Sequence, residues 1–276
     1  MVGREGFGRE GFALSPKRTL TNIAFFDANC QFGRHNQRHP GAPYALADLV
    51  ADMHRHGIAR RLVHHAMAKE NSTTIGNARL MEEIKSVEGL APCWAVSTWV
   101  TGEMPRPSEL VTLLKANKVR AVRFFCHYYH VPTAEWSLGL LWSELEAHRI
   151  PLILDGGDHW ADIRDLDTEL VYQLCHAHPN LPVIYTEHRI RFNRQVYQLL
   201  EACPNLHLEL SGYWHYRAVE DICRRFGAER LIFGTNWPYM DSGFAVAMVT
   251  YAQVSDTEKA AVAGGNLSAL LEAVQW

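Results

Sequence analysis

One alternation dominates the chain. From residue 22 onward a short apolar run is followed by a longer segment with helical spacing, and the pair then repeats. The runs are 23–27, 61–65, 91–96, 119–125, 151–154, 182–186, 206–210 and 231–234. Between them, residues 45–56 place Leu46, Leu49, Val50 and Met53 on one helical face, and 138–148 do the same with Leu141, Trp142 and Leu145. Segments 171–178 and 194–202 repeat the pattern. Strands separated by helical crossovers lie parallel in one sheet. Eight such units in about 250 residues predict an α/β fold, a single-domain (β/α)8 TIM barrel over residues 22–276. A doubly wound open sheet is the rival, and no GxGxxG follows the first run to support it. Residues 1–21 stand apart. GREGF occurs there twice in tandem, at 3–7 and 8–12, which reads as a flexible N-terminal arm, with a clamp on a neighbouring subunit as the sharper alternative.

Composition narrows the partners. Lys and Arg number 27 against 30 Asp and Glu, a formal charge of -3, so no nucleic acid or membrane surface is expected. No run approaches 18 apolar residues, so no transmembrane helix is expected, and the N-terminus shows no secretory h-region. The six cysteines form no CxxC and read as reduced thiols of a cytoplasmic protein. The expected partner is a small-molecule substrate, and a homodimer is left open.

A barrel puts its chemistry at the C-terminal strand ends. In chain order those positions carry Asp27, Asn29, Cys30 and Gln31; His64 and His65; Ser97; Arg123 through His130; Asp155, Asp158 and His159; Glu187 and His188; Glu209 and Ser211; Asn236 and Trp237, with Tyr239 and Asp241 just beyond. Cys30 beside a histidine is a conceivable nucleophile, although a dispersed cysteine in apolar surroundings is more often inert packing.

These strand ends, taken in order, resemble the amidohydrolase-related branch of the metal-dependent hydrolase superfamily. CPNLHLELSG (203–212) is similar to that family's seventh strand, and FGAERLIFGTNWP (226–238) to its eighth. Residues 255–271, with GGNL at 264–267, are similar to its terminal helix, and FDANCQFG (26–33) resembles its D-x-H-x-H-x-G first strand. The resemblance covers about residues 22–272. It implies a divalent metal held by two histidines after strand 1, histidines after strands 5 and 6 and an aspartate after strand 8. Here those positions hold Asn29 and Gln31, Asp155, Glu187 or His188 (depending on a one-residue shift) and Asn236.

Zinc takes imidazole, thiolate and carboxylate donors, and a neutral amide is a poor substitute. Nor can Asn236 serve as the general base that the family's aspartate provides. The expectation is therefore a degenerate metal site, no metal and no cofactor. Asp155, Glu187 and His188 would handle protons. Arg123 would hold a substrate carboxylate, as the arginine of the similar VRAVRF strand (119–124) does in metal-independent lactonases of the superfamily. An interior ion pair with Asp155 or Glu187 is the alternative role for Arg123. Asn29, Gln31, Asn236 and Trp237 would contact a polar substrate. Without a Lewis acid, one positioned acid or base gives roughly 10²–10⁴-fold acceleration. That suits lactones and esters better than amides. The reading is a hydrolase of a small carboxylate-bearing lactone or ester. The alternatives are a catalytically degenerate barrel that binds a ligand or partner, and a metal hydrolase with a rearranged site built from His64, His65, His127 and His130.

Overall fold

The computed structural model describes residues 23–36, 41–126, 128–155, 168–188 and 193–276. The N-terminal arm, His127, Asp158, His159 and Trp160 lie outside the described residues. The strands are β1 (Phe25–Phe32), β2 (Ile58–His65), β3 (Leu90–Pro92), β4 (Trp94–Ala95), β5 (Val122–Phe124), β6 (Leu152–Leu154), β7 (Val183–Tyr185), β8 (Leu206–Glu209) and β9 (Leu231–Ile232). They pair in parallel in the orders β1-β2-β3 and β4-β5-β6-β7-β8-β9. β3 and β4 are halves of one stave. Cys93 between them donates its N–H to Val63 O at 2.8 Å, and Trp94 then pairs with Val122. The run expected at 91–96 thus becomes one interrupted strand, and the staves number eight as the alternation predicted.

The ring closes between the last stave and the first. Ala28 N–H donates to Phe233 O at 2.9 Å, Gln31 N–H to Trp237 O at 3.0 Å and Asn236 N–H to Asn29 O at 2.7 Å. Closure leaves no sheet edge and rules out the open-sheet rival.

The helices are α1 (Leu46–His56), α2 (Ala66–Glu70), α3 (Thr73–Ile84), α4 (Pro107–Ala116), α5 (Glu135–Ala147), α6 (Thr168–Ala177), α7 (Asn193–Ala202), α8 (Ala218–Phe226), α9 (Ser242–Thr250), α10 (Asp256–Ala260) and α11 (Asn266–Glu272). Strand alternation sorts the core into two layers. Phe26, Leu62, Cys93, Ala121, Ile153, Ile184 and Ile232 pack together as the barrel interior. Leu152, Leu154, Val183 and Tyr185, one residue out of phase, belong to the layer against the helices.

The chain end fixes which mouth is open. Ser255 caps α10 with a capping box whose partner is Glu258. The helix continues through a π turn at Ala261–Gly265 into α11. Leu267 and Leu271 of α11 join the interior cluster, and Arg120, just before β5, donates to Leu271 O at 2.9 Å. Burial of each leucine contributes about 1.5–3 kcal/mol. α11 therefore plugs the N-terminal end of the barrel, and the polar groups collect at the other end.

Candidate functional site at the C-terminal mouth

Six of the eight staves send a side chain to one small pocket. Asn29, Cys30 and Gln31 come from β1, His64 from β2, Lys69 from α2, and Arg123 from β5. Asp155 follows β6, Glu187 follows β7, and Asn236, Trp237 and Tyr239 follow β9. The cavity between them measures about 10 Å³, room for about one water-sized group. A wider groove on the outside of α8 and α10 has no comparable set of buried groups.

Arg123 organises the floor. It is 1% exposed. Its Nη1 donates to Asp155 Oδ2 at 3.2 Å, and its Nη2 to Asn29 Oδ1 at 2.8 Å and Ala28 O at 3.3 Å. The interior ion pair with Asp155 is therefore formed, and the guanidinium edge expected to hold a substrate carboxylate is committed within the protein. Asn29 passes the connection on, its Nδ2 donating to Glu209 Oε2 and Ser211 Oγ, each at 3.1 Å. Gln31 is tied as well. Its Nε2 donates to Tyr239 Oη at 3.1 Å, and its Oε1 lies 3.0 Å from His64 Nε2. Two of the amides expected to face a substrate thus complete an internal network. Asn236 differs, because its buried Nδ2 has no hydrogen-bond partner among the described residues. Trp237 lines the pocket while its ring covers the Arg61 guanidinium, 5.7 Å from ring centre.

The carboxylates are held in unlike environments. Burial, then the neighbouring charge of Asp155, raises the Glu187 carboxyl well above its ordinary value. Glu187 also adopts φ 60°, a conformation that costs a non-glycine residue about 1–3 kcal/mol and persists only where its surroundings impose it. Burial pushes Glu209 up to about 7 despite hydrogen bonds from Ser211 and the Glu187 N–H. Desolvation favours the neutral acid in both cases. Asp155 faces the Arg123 cation. Lys69 is pulled down by burial, but Asp155 and Glu187 outweigh this and hold the ammonium above the usual lysine range.

Several candidates stand elsewhere. The one-residue ambiguity after β7 resolves to Glu187 facing the pocket. His188 packs between Tyr185 and Tyr213, with ring centroids 5.4 and 6.0 Å away. Neither of its ring nitrogens has a hydrogen-bond partner among the described residues, and burial pulls it down to about 4. The proton-handling role expected of His188 does not fit that packing. Asp27, two residues before Asn29, does not line the pocket, and the β1 register shifts between Asp27 and Cys30. It instead meets Arg61 Nε at 3.3 Å and Thr235 Oγ1 at 2.6 Å. His65 caps α2 by accepting from Met67 N–H at 3.1 Å, and His130 is exposed. Burial pushes the Cys30 thiol up, which is the state of an inert core thiol. Lys69 was missed. It sits on a five-residue helix directly after β2, too short to show a period.

A divalent metal does not fit these residues. Two former donor positions, Asn29 and Asp155, turn their oxygens to the Arg123 guanidinium, and a third, Gln31, is bonded to His64 and Tyr239. The remaining donor oxygens belong to an amide and to a Glu187 carboxyl that favours its proton. Among the described residues no three His, Cys, Asp or Glu side chains converge as a ligand set, so the rearranged site has no described core.

The buried ionisable groups of this parallel eightfold barrel converge at its C-terminal mouth, the end at which TIM-barrel sites are built. The amidohydrolase family model matches residues 46–271, and the chain belongs to that family. Among curated proteins none matches the sequence. Similar solved structures include 5-carboxyvanillate decarboxylase from Sphingomonas paucimobilis (11% identity, TM-score 0.70, 91% of this chain and 99% of that one). Another is 2,6-dihydroxybenzoate decarboxylase from Rhizobium (14%, TM-score 0.71, 91% and 99%). A third is a probable 2-pyrone-4,6-dicarboxylic acid hydrolase from Acinetobacter baumannii with citric acid bound (14%, TM-score 0.64, 91% and 100%). At these identities the likeness is one of fold.

Proposed function

We propose that the protein hydrolyses a small carboxylate-bearing lactone or ester without a metal. The observation that carries this reading is the carboxyl pair Asp155 and Glu187. Both are buried in one pocket, one beside a guanidinium and the other holding its proton. Two carboxyls in one pocket, one paired with a cation and the other desolvated, can divide the roles of base and acid. Asp155 takes a proton from a water, whose oxygen forms a bond to the acyl carbon. Glu187 gives its proton to the departing alkoxide as the acyl C–O bond breaks. The products are an acid and an alcohol, and one proton passing from Asp155 to Glu187 restores the pair. Two positioned proton-transfer groups supply a barrier reduction that esters and lactones need and amides exceed.

The test is a pH-stat assay of chelator-treated protein against carboxylate-bearing lactones and esters. Turnover that survives chelation and falls at least 10²-fold in Asp155→Asn supports the reading. Turnover unchanged in Asp155→Asn contradicts it. The committed bonds of Arg123, Asn29 and Gln31 favour a second reading, a ligand-binding barrel. That reading predicts saturable binding of carboxylates with no turnover in the whole panel.

A further inference from the structure

Lys69 and Asn236 each bring to the pocket wall a donor with no acceptor among the described residues. Lys69 is 8% exposed, and no hydrogen bond to its Nζ exists among the described residues. Its contacts are ring faces, Tyr128 at 4.2 Å and Phe125 at 5.4 Å from Nζ to centroid. Asn236, 4% exposed, brings the second donor, its unpartnered Nδ2. A buried ammonium and a buried amide N–H each lose strong hydrogen bonds to water, a cost a protein keeps where a bound group restores them.

The placement of Lys69 is built rather than incidental. Tyr129 Oη donates to Ala68 O at 2.6 Å, one residue before the lysine. Gly76 of α3 lies so close that a Cβ there would stand 2.2 Å from Ala68 N. α2 is thus clamped from two sides, and the Phe125 and Tyr128 rings hold the Lys69 ammonium by cation–π attraction.

We propose that Lys69 and Asn236 form the subsite that binds the substrate's carboxylate. The assignment rests on the pocket being the substrate site proposed above. It replaces Arg123, whose two terminal nitrogens already bond Asp155, Asn29 and Ala28, with a cation that makes no such bond among the described residues. Asp155 shares the pocket, so a singly charged carboxylate suits it better than a phosphate dianion, which that charge repels more strongly.

The experiment is a titration of the full chain, followed by the ¹⁵N-lysine Nζ resonances, with acetate, malonate, inorganic phosphate and neutral acetamide. Saturable movement of the Lys69 resonance by acetate or malonate is expected, and none by acetamide. Lys69→Met should weaken malonate binding at least tenfold, and Lys69→Gln likewise. A Lys69 resonance unmoved by either carboxylate overturns the proposal, and it needs no variant to fold. So does a folded Lys69→Met that binds malonate within twofold of the wild type, or phosphate binding tighter than both carboxylates. Carboxylate binding that depends on Lys69, in a protein that turns over no lactone or ester, retains the subsite and discards the hydrolase. Turnover that is unaffected by Lys69→Met does the reverse.

Discussion

Removing the Arg123 cation is the most informative perturbation. The Arg123 Nη1 to Asp155 Oδ2 separation of 3.2 Å corresponds to a Coulomb attraction of about 5 kcal/mol at an effective dielectric of 20. Desolvation of both ions offsets much of this, so the net worth of the pair is far smaller. Truncating one partner is a different quantity, because it leaves the other charge buried alone, and that costs about 3–5 kcal/mol. Arg123→Met also strips Asn29 Oδ1 of its donor, a further loss of about 1–3 kcal/mol where nothing replaces it. Lys69 remains near Asp155 and absorbs part of the charge, so about 3–5 kcal/mol in total is expected. Equilibrium urea unfolding, followed by tryptophan fluorescence, reads the difference. The double variant Arg123→Met/Asp155→Leu should recover at least about 2 kcal/mol relative to the sum of the single variants. A loss below about 1 kcal/mol, or strict additivity, would refute the view that this ion pair holds the floor of the pocket.

Three further outcomes follow from the same geometry. Glu209, raised to about 7 in the folded chain, stabilises the fold fully below its unfolded value near 4.5, and that share is lost as pH rises through about 7, on the order of 3 kcal/mol; the thermal midpoint of Glu209→Gln should accordingly fall less steeply between pH 5 and 8 than that of the wild type, and parallel slopes would contradict this. Gly76→Ala drives a methyl into the Ala68 backbone and should cost about 1–3 kcal/mol, seen as a lower thermal midpoint together with weaker malonate binding. His188→Gln should leave kcat within threefold while lowering stability, because the ring is packed between Tyr185 and Tyr213; a hundredfold fall in kcat without unfolding would return His188 to the chemistry.

The barrel was legible in the sequence because strand runs and helical periods alternate with a spacing that only a parallel sheet tolerates. The pocket's main wall was legible for a related reason. Once the fold is a barrel, topology alone brings Asn29, Gln31, Arg123, Asp155, Glu187, Asn236 and Trp237 to one end. What the sequence withholds is direction and pairing. Glu187 and His188 are adjacent, and only the left-handed turn at Glu187 decides which faces inward. The register shift in β1 hides the separation of Asp27 from Asn29. Arg123 has two plausible partners in any sequence reading, an anionic substrate or an internal carboxylate, and packing chose the second. Lys69 left no periodic signal because α2 spans only five residues.

Elemental analysis by inductively coupled plasma mass spectrometry, on untagged protein purified without chelator, tests the central claim most directly. If the Arg123 guanidinium holds Asn29 and Asp155 in place of a divalent ion, metal content is far below one ion per chain and added zinc or manganese leaves the thermal midpoint unchanged. About one tightly held zinc or manganese per chain would contradict the account.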